Sequence, residues 1–245
     1  MSKGCNIQFE RKDFLDEEMK YFNKKARGIA LMVYEKPEFL DILKDFLLTF
    51  INKINFNREY KKWKNELPEF DLIYGKEDLD EFLKKLYDAY TIVKSGHLDK
   101  FRGLIFEYLI EYYYCNIYNN KSKDKFSCGC KVIVDGKDII YNCEEDEDKS
   151  RKTVDIAGYN EKDSKFYELK VGPEGFDEHV INYLNILNNE VCSKKISDNI
   201  IVGCMTLKPR KSLEIKLRSN KVDFSRLQLN GIKELKEIFI GQRVS

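Results

Sequence analysis

The spacing of apolar residues changes character near residue 118, and that change limits the folds open to this chain. Before it, apolar residues recur at helical intervals. Phe39, Leu40, Leu43, Phe46, Leu47, Phe50, Ile51 and Ile54 form one stripe behind Pro37, a residue suited to a first helical turn. Leu79, Phe82, Leu83, Leu86, Tyr87 and Tyr90 form a second stripe after a break at Gly75, and Ser95-Gly96 reads as a helix stop. The first ninety-odd residues are thus expected to be helical, with a further helix over 100–118. Beyond it come short runs rich in β-branched and aromatic residues. CKVIVDG (130–136) and DIIYN (138–142) flank Asp135-Gly136, a strong hairpin pair. TVDIAGY (153–159) and KFYELKV (165–171) flank the turn NEKDS, and Gly172-Pro173-Glu174-Gly175 breaks the second run. A helix carrying Phe176, Val180, Leu184, Leu187 and Val191 comes next, then a buried strand over 199–207 and a closing helix over 225–239. This order implies an α/β (α+β) fold, a mixed central sheet flanked by helices with an α-helical N-terminal region attached.

Composition narrows the class. With 42% hydrophobic and 35% charged residues in 245, the chain has core enough to fold and too many rings to stay disordered. The 43 basic and 42 acidic side chains leave a net charge of +1, which excludes the strong overall basic field of a nucleic-acid coat but not a local basic surface. The seven cysteines, Cys5 among them, are odd in number and read as reduced thiols. Cys128-Gly129-Cys130 with Cys143 lacks the spacing and the evident fourth ligand of a zinc site. The start, MSKGCN, has no apolar signal core, and the longest apolar runs, such as FLLTFI (46–51), are too short to cross a membrane. The expectation is a cytoplasmic protein with no membrane partner.

One pair of runs carries chemistry. Alternate side chains of a strand share a face, so Phe166, Glu168 and Lys170 point one way and Tyr167, Leu169 and Val171 the other. Asp155 projects opposite Val154 and Ile156. If the runs pair across their turn, Asp155 comes beside Glu168 and Lys170. Two carboxylates and an amine then converge, and hard oxygen donors suit Mg²⁺ or Mn²⁺. The competing reading is a solvated, salt-bridged hairpin face.

VDIAGYNEKDSKFYELKV (154–171) resembles the signature of the PD-(D/E)XK nuclease superfamily, in which an Asp ending one strand is followed by Glu-x-Lys on the next. Val154 stands where the family label has Pro. The resemblance spans roughly 98–207 and implies a restriction-endonuclease-like core with Asp155, Glu168 and Lys170 as catalytic residues. It also implies a metal-holding Glu on the preceding helix, a place that Glu107 fits, with Gly103 one turn earlier leaving room. The implied activity is Mg²⁺-dependent endonucleolytic hydrolysis of DNA, with RNA left open as substrate, in restriction, phage defence or mobile-element processing. Cutting both strands of a duplex suggests a homodimer. The alternative is a non-catalytic nucleic-acid-binding or protein-interaction module on the same fold.

Other signals are weaker. Glu-x-Lys recurs at Glu18, Glu59, Glu214 and Glu234, and Glu214-Ile215-Lys216 is the strand-like rival. His179 or Asn182, on the helix after the motif, is a candidate for touching phosphate or water. Lys208, Arg210 and Lys211, with Lys216 and Arg218, are candidates for backbone phosphates. Lys149, Arg151 and Lys152 border the motif behind the acidic run 144–148. The expected division is a helical region over 1–95 that selects substrate or partner and a nuclease-like domain over 96–245.

Overall fold

The computed structural model describes residues 6–12, 17–67, 76–118, 124–144 and 146–241; Cys5 and the expected break at Gly75 lie outside them. The chain forms two compact units, Leu15–Leu109 and the combination of Met1–Phe14 with Ile110–Ser245.

The first unit is helical. It holds α1 (Glu17–Glu35), α2 (Leu40–Thr49), α3 (Phe56–Glu66), α4 (Lys76–Ile92) and the first part of α5 (Leu98–Tyr118). Pro37, its φ fixed by the ring, opens a 3₁₀ turn that runs directly into α2. The stop expected at Ser95-Gly96 is another single 3₁₀ turn, and α5 starts straight after it. Phe46 is fully buried, with the rings of Phe50, Phe56, Tyr60, Trp63 and Tyr90 centred 4.5–6.4 Å away. Two of these rings also satisfy their polar tips. The Tyr60 hydroxyl donates to the Leu83 carbonyl at 2.8 Å, and the Trp63 indole N–H donates to Asp45 at 2.6 Å. Ile51 and Ile54 leave the stripe because α2 ends at Thr49, and both are exposed.

The second unit is built on a sheet. Its strands are β1 (Ile7–Arg11), β2 (Lys125–Val134), β3 (Lys137–Asp138), β4 (Val154–Tyr159), β5 (Asp163–Lys170), β6 (Asn199–Thr206) and β7 (Gln228–Asn230). Its remaining helices are α6 (Glu178–Ser193), α7 (Arg210–Ser219) and α8 (Ile232–Gly241). Among the described residues the seven strands make a mixed sheet in the order β1-β2-β4-β5-β6-β7, with β3 paired to β2 off that path. Pairing is antiparallel from β1 to β5 and parallel from β5 to β7. The protein is therefore a mixed α/β fold, as the element order implied.

Four assignments differ from the sequence reading, the first being the run DIIYN (138–142), of which only Asp138 lies in a strand while Tyr141 makes an isolated bridge to Arg151. Ile7–Arg11 is a strand inside the region expected to be helical, because its alternating Ile7 and Phe9 pair with Val134 and Val132 far along the chain. Glu214 and Lys216 lie on α7, not on a strand. Leu213, Ile215 and Leu217 alternate as in a strand, but only Leu213 and Leu217 are buried, while Ile215 is exposed. That removes the rival Glu-x-Lys. The closing segment begins with β7 before α8 starts at Ile232.

Asp135 and Gly136 take φ of 50° and 79°, the left-handed pair of a tight hairpin turn between β2 and β3. The β4–β5 turn is closed by the Asn160 side chain, whose Oδ1 accepts from the N–H groups of Lys162 and Asp163 at 3.0 and 2.7 Å. One face of the sheet, through Phe166, Val202 and Cys204, packs on Val180, Leu184 and Leu187 of α6 and on Leu213 and Leu217 of α7. On the other face the ring of Tyr167 lies 5.7 Å from that of Tyr114, and Tyr113 meets Phe239 of α8 at 5.5 Å.

Because Phe46 joins so many rings, Phe46→Ala leaves a cavity that rigid neighbours cannot refill. We expect a loss of about 3–5 kcal/mol in urea unfolding followed by Trp63 fluorescence. A loss below about 1 kcal/mol would show that the aromatic cluster can collapse onto the gap.

Candidate active site

The β4–β5 register pairs Ile156 with Tyr167 and Ala157 with Phe166, so one further step sets Asp155 across from Glu168. At that step a side chain takes over the ladder. The Leu169 N–H donates to Asp155 Oδ2 at 2.7 Å, which ties the carboxylate to the main chain of β5. On the other side of β5, Glu168 pairs with Cys204 and Lys170 with Thr206 of β6. Glu168 is 7% exposed and lies on the face shared with Phe166. The Lys170 ammonium sits 2.6 Å from Glu168 Oε1 and 3.5 Å from Asp155 Oδ2. The structure thus brings Asp155, Glu168 and Lys170 together at one end of β4 and β5.

The turn after β5 confines the lysine. A Cβ at Gly175 would lie 2.8–3.3 Å from the Cδ, Cγ and Cβ of Lys170. Any larger residue in the turn Pro173–Gly175 at that position would force the lysine stem to shift. The breaker read from sequence is therefore also a wall of the site.

Electrostatics favour a protonated Glu168. Burial, joined by the charge of Asp155, pushes its pKa up to about 7, against the opposing pull of Lys170 and Arg151. An ion pair at 2.6 Å is thus outweighed by the loss of water, as expected where a charge is buried with incomplete compensation.

Two residues near this carboxylate carried little signal in the sequence. Tyr183 on α6 is 1% exposed, and its hydroxyl has no hydrogen-bond partner among the described residues. Burial raises its pKa, and the charges of Glu168 and Asp155 add to that. It belongs to the apolar stripe of α6, so periodicity reads it as core; only the hydroxyl on a buried stripe hints otherwise. Arg151 precedes β4, exchanges both backbone hydrogen bonds with Tyr141 at 2.8 and 2.9 Å, and faces Asp177 at 3.5 Å.

The other candidates are more scattered. Glu107 lies on α5 within the helical unit, where a Cβ added at Gly103 would meet its Oε1 at 3.5 Å. His179 Nδ1 is 3.4 Å from the Tyr141 hydroxyl and Nε2 is 3.6 Å from Glu178, so the imidazole has partners within its own surroundings. Asn182 is half-buried on α6. The Leu207 N–H and the Thr206 hydroxyl both donate to the Val171 carbonyl, so the segment carrying Lys208, Arg210 and Lys211 leaves the sheet beside the end of β5. Lys211 is exposed, Lys208 is half-buried, and Arg210 pairs with Glu214 at 2.8 Å.

No group of three or more His, Cys, Asp or Glu that could hold a metal occurs among the described residues. The donor set at the site is the pair Asp155 and Glu168. Two carboxylates match the habits of Mg²⁺, which keeps several of its waters, and their mutual repulsion, visible in the raised pKa of Glu168, is what a divalent cation would relieve. Cys128 and Cys143 are half-buried and Cys130 is buried.

No protein-family model and no curated protein matches the chain. Among solved structures it is similar to protein VC1899 from Vibrio cholerae, with 14% identity and a TM-score of 0.47 over 96% of this chain; it spans 57% of the length of that chain. Among the described residues no helix is long and apolar enough to cross a membrane.

The raised pKa of Glu168 sets a pH dependence. Its folded value, about 7, lies above the ordinary carboxylate value of 4.5. The protonated form is therefore favoured by folding, and this contribution is full below the unfolded value and lost as pH rises through about 7. In EDTA, urea unfolding should show stability falling between about pH 5 and about pH 8, and Glu168→Gln should flatten that slope. An unchanged slope in the variant would assign the dependence to other groups.

Proposed function

We infer that this protein is a metal-dependent endonuclease that hydrolyses phosphodiester bonds in DNA. The observation that carries this reading is the meeting of Asp155, Glu168 and Lys170 at adjoining strand ends, with a nearly buried Glu168. A salt-bridged solvated face would not bury a carboxylate. The resemblance of 154–171 to the PD-(D/E)XK signature supports the same reading, including a restriction-endonuclease-like core and a role in restriction, phage defence or mobile-element processing, and the odd number of cysteines suits a cytoplasmic setting.

Each residue has a task that follows from its position. Asp155 and Glu168 would hold Mg²⁺ or Mn²⁺, which when bound supplies positive charge for the scissile phosphate and a more acidic water. Asp155, fixed by the Leu169 N–H, keeps its free oxygen aimed consistently. Lys170, confined by Gly175, offers its ammonium to phosphate oxygens as negative charge builds on them. Glu107 is carried as a further metal-holding carboxylate by the family resemblance. Lys208 and Lys211 offer charge to the strand, and the helical region offers surface for selecting a substrate or partner. A homodimer would supply the second site needed to cut a duplex.

The deciding experiment incubates the protein with supercoiled, linear and branched DNA and with RNA, each in Mg²⁺, Mn²⁺ and EDTA. Cleavage of DNA with either cation and none in EDTA is expected; binding without cleavage under every condition would favour a non-catalytic module instead.

Asp155→Asn and Glu168→Gln keep the size of the side chains, and the amide oxygen introduced by Asp155→Asn can still accept from the Leu169 N–H. Each is expected to abolish cleavage and weaken calorimetric Mn²⁺ binding with no change in circular dichroism. Lys170→Ala should divide the effects. Turnover falls about a hundredfold or more, the scale of one lost electrostatic stabiliser, while Mn²⁺ binding survives because both carboxylates remain. A Lys170→Ala protein that cleaves at the normal rate would remove the lysine from the mechanism.

A further inference from the structure

The guanidinium of Arg151 has donors that the fold does not use. Its Nε–H is buried and has no hydrogen-bond partner among the described residues. Its ion pair with Asp177 is long, at 3.5 Å. An arginine has five N–H donors, and leaving a buried one without an acceptor is unfavourable. The side chain as a whole is 42% exposed, so its other donors are open to solvent and to a ligand.

Its position is nevertheless tightly set. The backbone of Arg151 is clamped to Tyr141 by two hydrogen bonds, and Asp155 lies on the strand that begins three residues later. Asp177, which the guanidinium faces, caps α6 by accepting from the Val180 N–H at 2.9 Å, and it lies two residues beyond the Gly175 that walls Lys170. Arg151 and Lys170 are thus both held against the short Gly172–Asp177 segment. The charge of Arg151 reaches Glu168, whose pKa it lowers.

We propose that Arg151 is a substrate-positioning residue that grips a backbone phosphate of the nucleic-acid strand lying across Asp155, Glu168 and Lys170. This rests on the nuclease reading above for its ligand. The planar fork of arginine suits two oxygens of one phosphate, and a phosphodiester supplies the acceptors that the free protein lacks. Asp177 then acts as a holder of the resting side chain and gives it up when the phosphate arrives.

The test compares wild type, Arg151→Ala, Arg151→Lys and Asp177→Asn. Binding of a short fluorescent DNA, as duplex and as single strand, is measured by anisotropy in Ca²⁺ over a series of salt concentrations. Single-turnover cleavage is then followed in Mg²⁺. For Arg151→Ala we expect about tenfold or greater loss of affinity and a salt slope smaller by about one phosphate contact. Mn²⁺ binding should stay unchanged. Arg151→Lys should keep the salt slope and lose part of the affinity, because charge survives and the fork does not. Asp177→Asn, which can still cap α6, should bind DNA as tightly as wild type or more tightly.

Unchanged affinity and slope in Arg151→Ala would overturn the proposal. So would equal losses in Arg151→Ala and Asp177→Asn, since these would mark a purely structural ion pair. If wild type binds DNA but cuts under no condition, the nuclease reading fails while the slope still decides the role of Arg151. If wild type binds neither form of DNA, both fall.

Discussion

Burying Glu168 in the sheet is the constraint around which the rest of the second unit is arranged. A carboxylate 7% exposed loses most of its water, and an unpaired charge there would cost several kcal/mol. Lys170 at 2.6 Å offsets part of that cost, and a pKa of about 7 shows that it does not offset all. The register of β4, β5 and β6 has to be kept for this arrangement to exist. A slip of one residue would exchange Glu168 for Tyr167 or Leu169 and turn both charged groups into the tyrosine-lined face. The Leu169 N–H bond to Asp155 and the Asn160 turn both pin that register from opposite ends of the β4–β5 pair.

The triad was legible because a strand has a simple period. Asp155, Glu168 and Lys170 are separated by a turn and one alternation, and a hairpin leaves few ways to arrange them. The hairpin at Asp135-Gly136 was legible for a similar local reason: positive φ at two successive positions selects these residues. What depended on distant pairing was not. The β1 strand is five residues long and means nothing until β2 is beside it. In α7 the sequence offers both periods, and only the exposure of Ile215 decides between them. Tyr183 escaped notice because an aromatic on an apolar stripe looks ordinary, and Arg151 stood out only as one of three basic residues bordering the motif. Their distinguishing property, a donor without an acceptor, exists only after folding.

That property is informative in itself. Native interiors satisfy nearly all buried polar groups, so each exception needs a cause. Here a Glu168 with a raised pKa, and the Tyr183 hydroxyl and Arg151 Nε–H that have no partner among the described residues, are linked by charge, since Arg151 acts on Glu168 and Glu168 on Tyr183.

The topology explains why they coincide there. β5 is the strand at which the sheet changes from antiparallel to parallel pairing. Because β4 runs against β5, the start of β4, with Asp155, adjoins the end of β5, with Glu168 and Lys170. Because β6 runs with β5, its end, Thr206, adjoins the same place and sends Lys208 and Lys211 past Val171. The segment that returns from β5 to α6 supplies Gly175 and Asp177, and the latter meets Arg151. Four chain segments therefore converge at one strand end, with Asp155, Glu168 and Lys170 from the hairpin and Gly175 and Asp177 from the segment that follows it. In open sheets that contain parallel strands, ligands bind beyond the carboxyl ends of those strands, where connections diverge. The change of direction at β5 is thus what brings Asp155, Glu168 and Lys170 to one strand end.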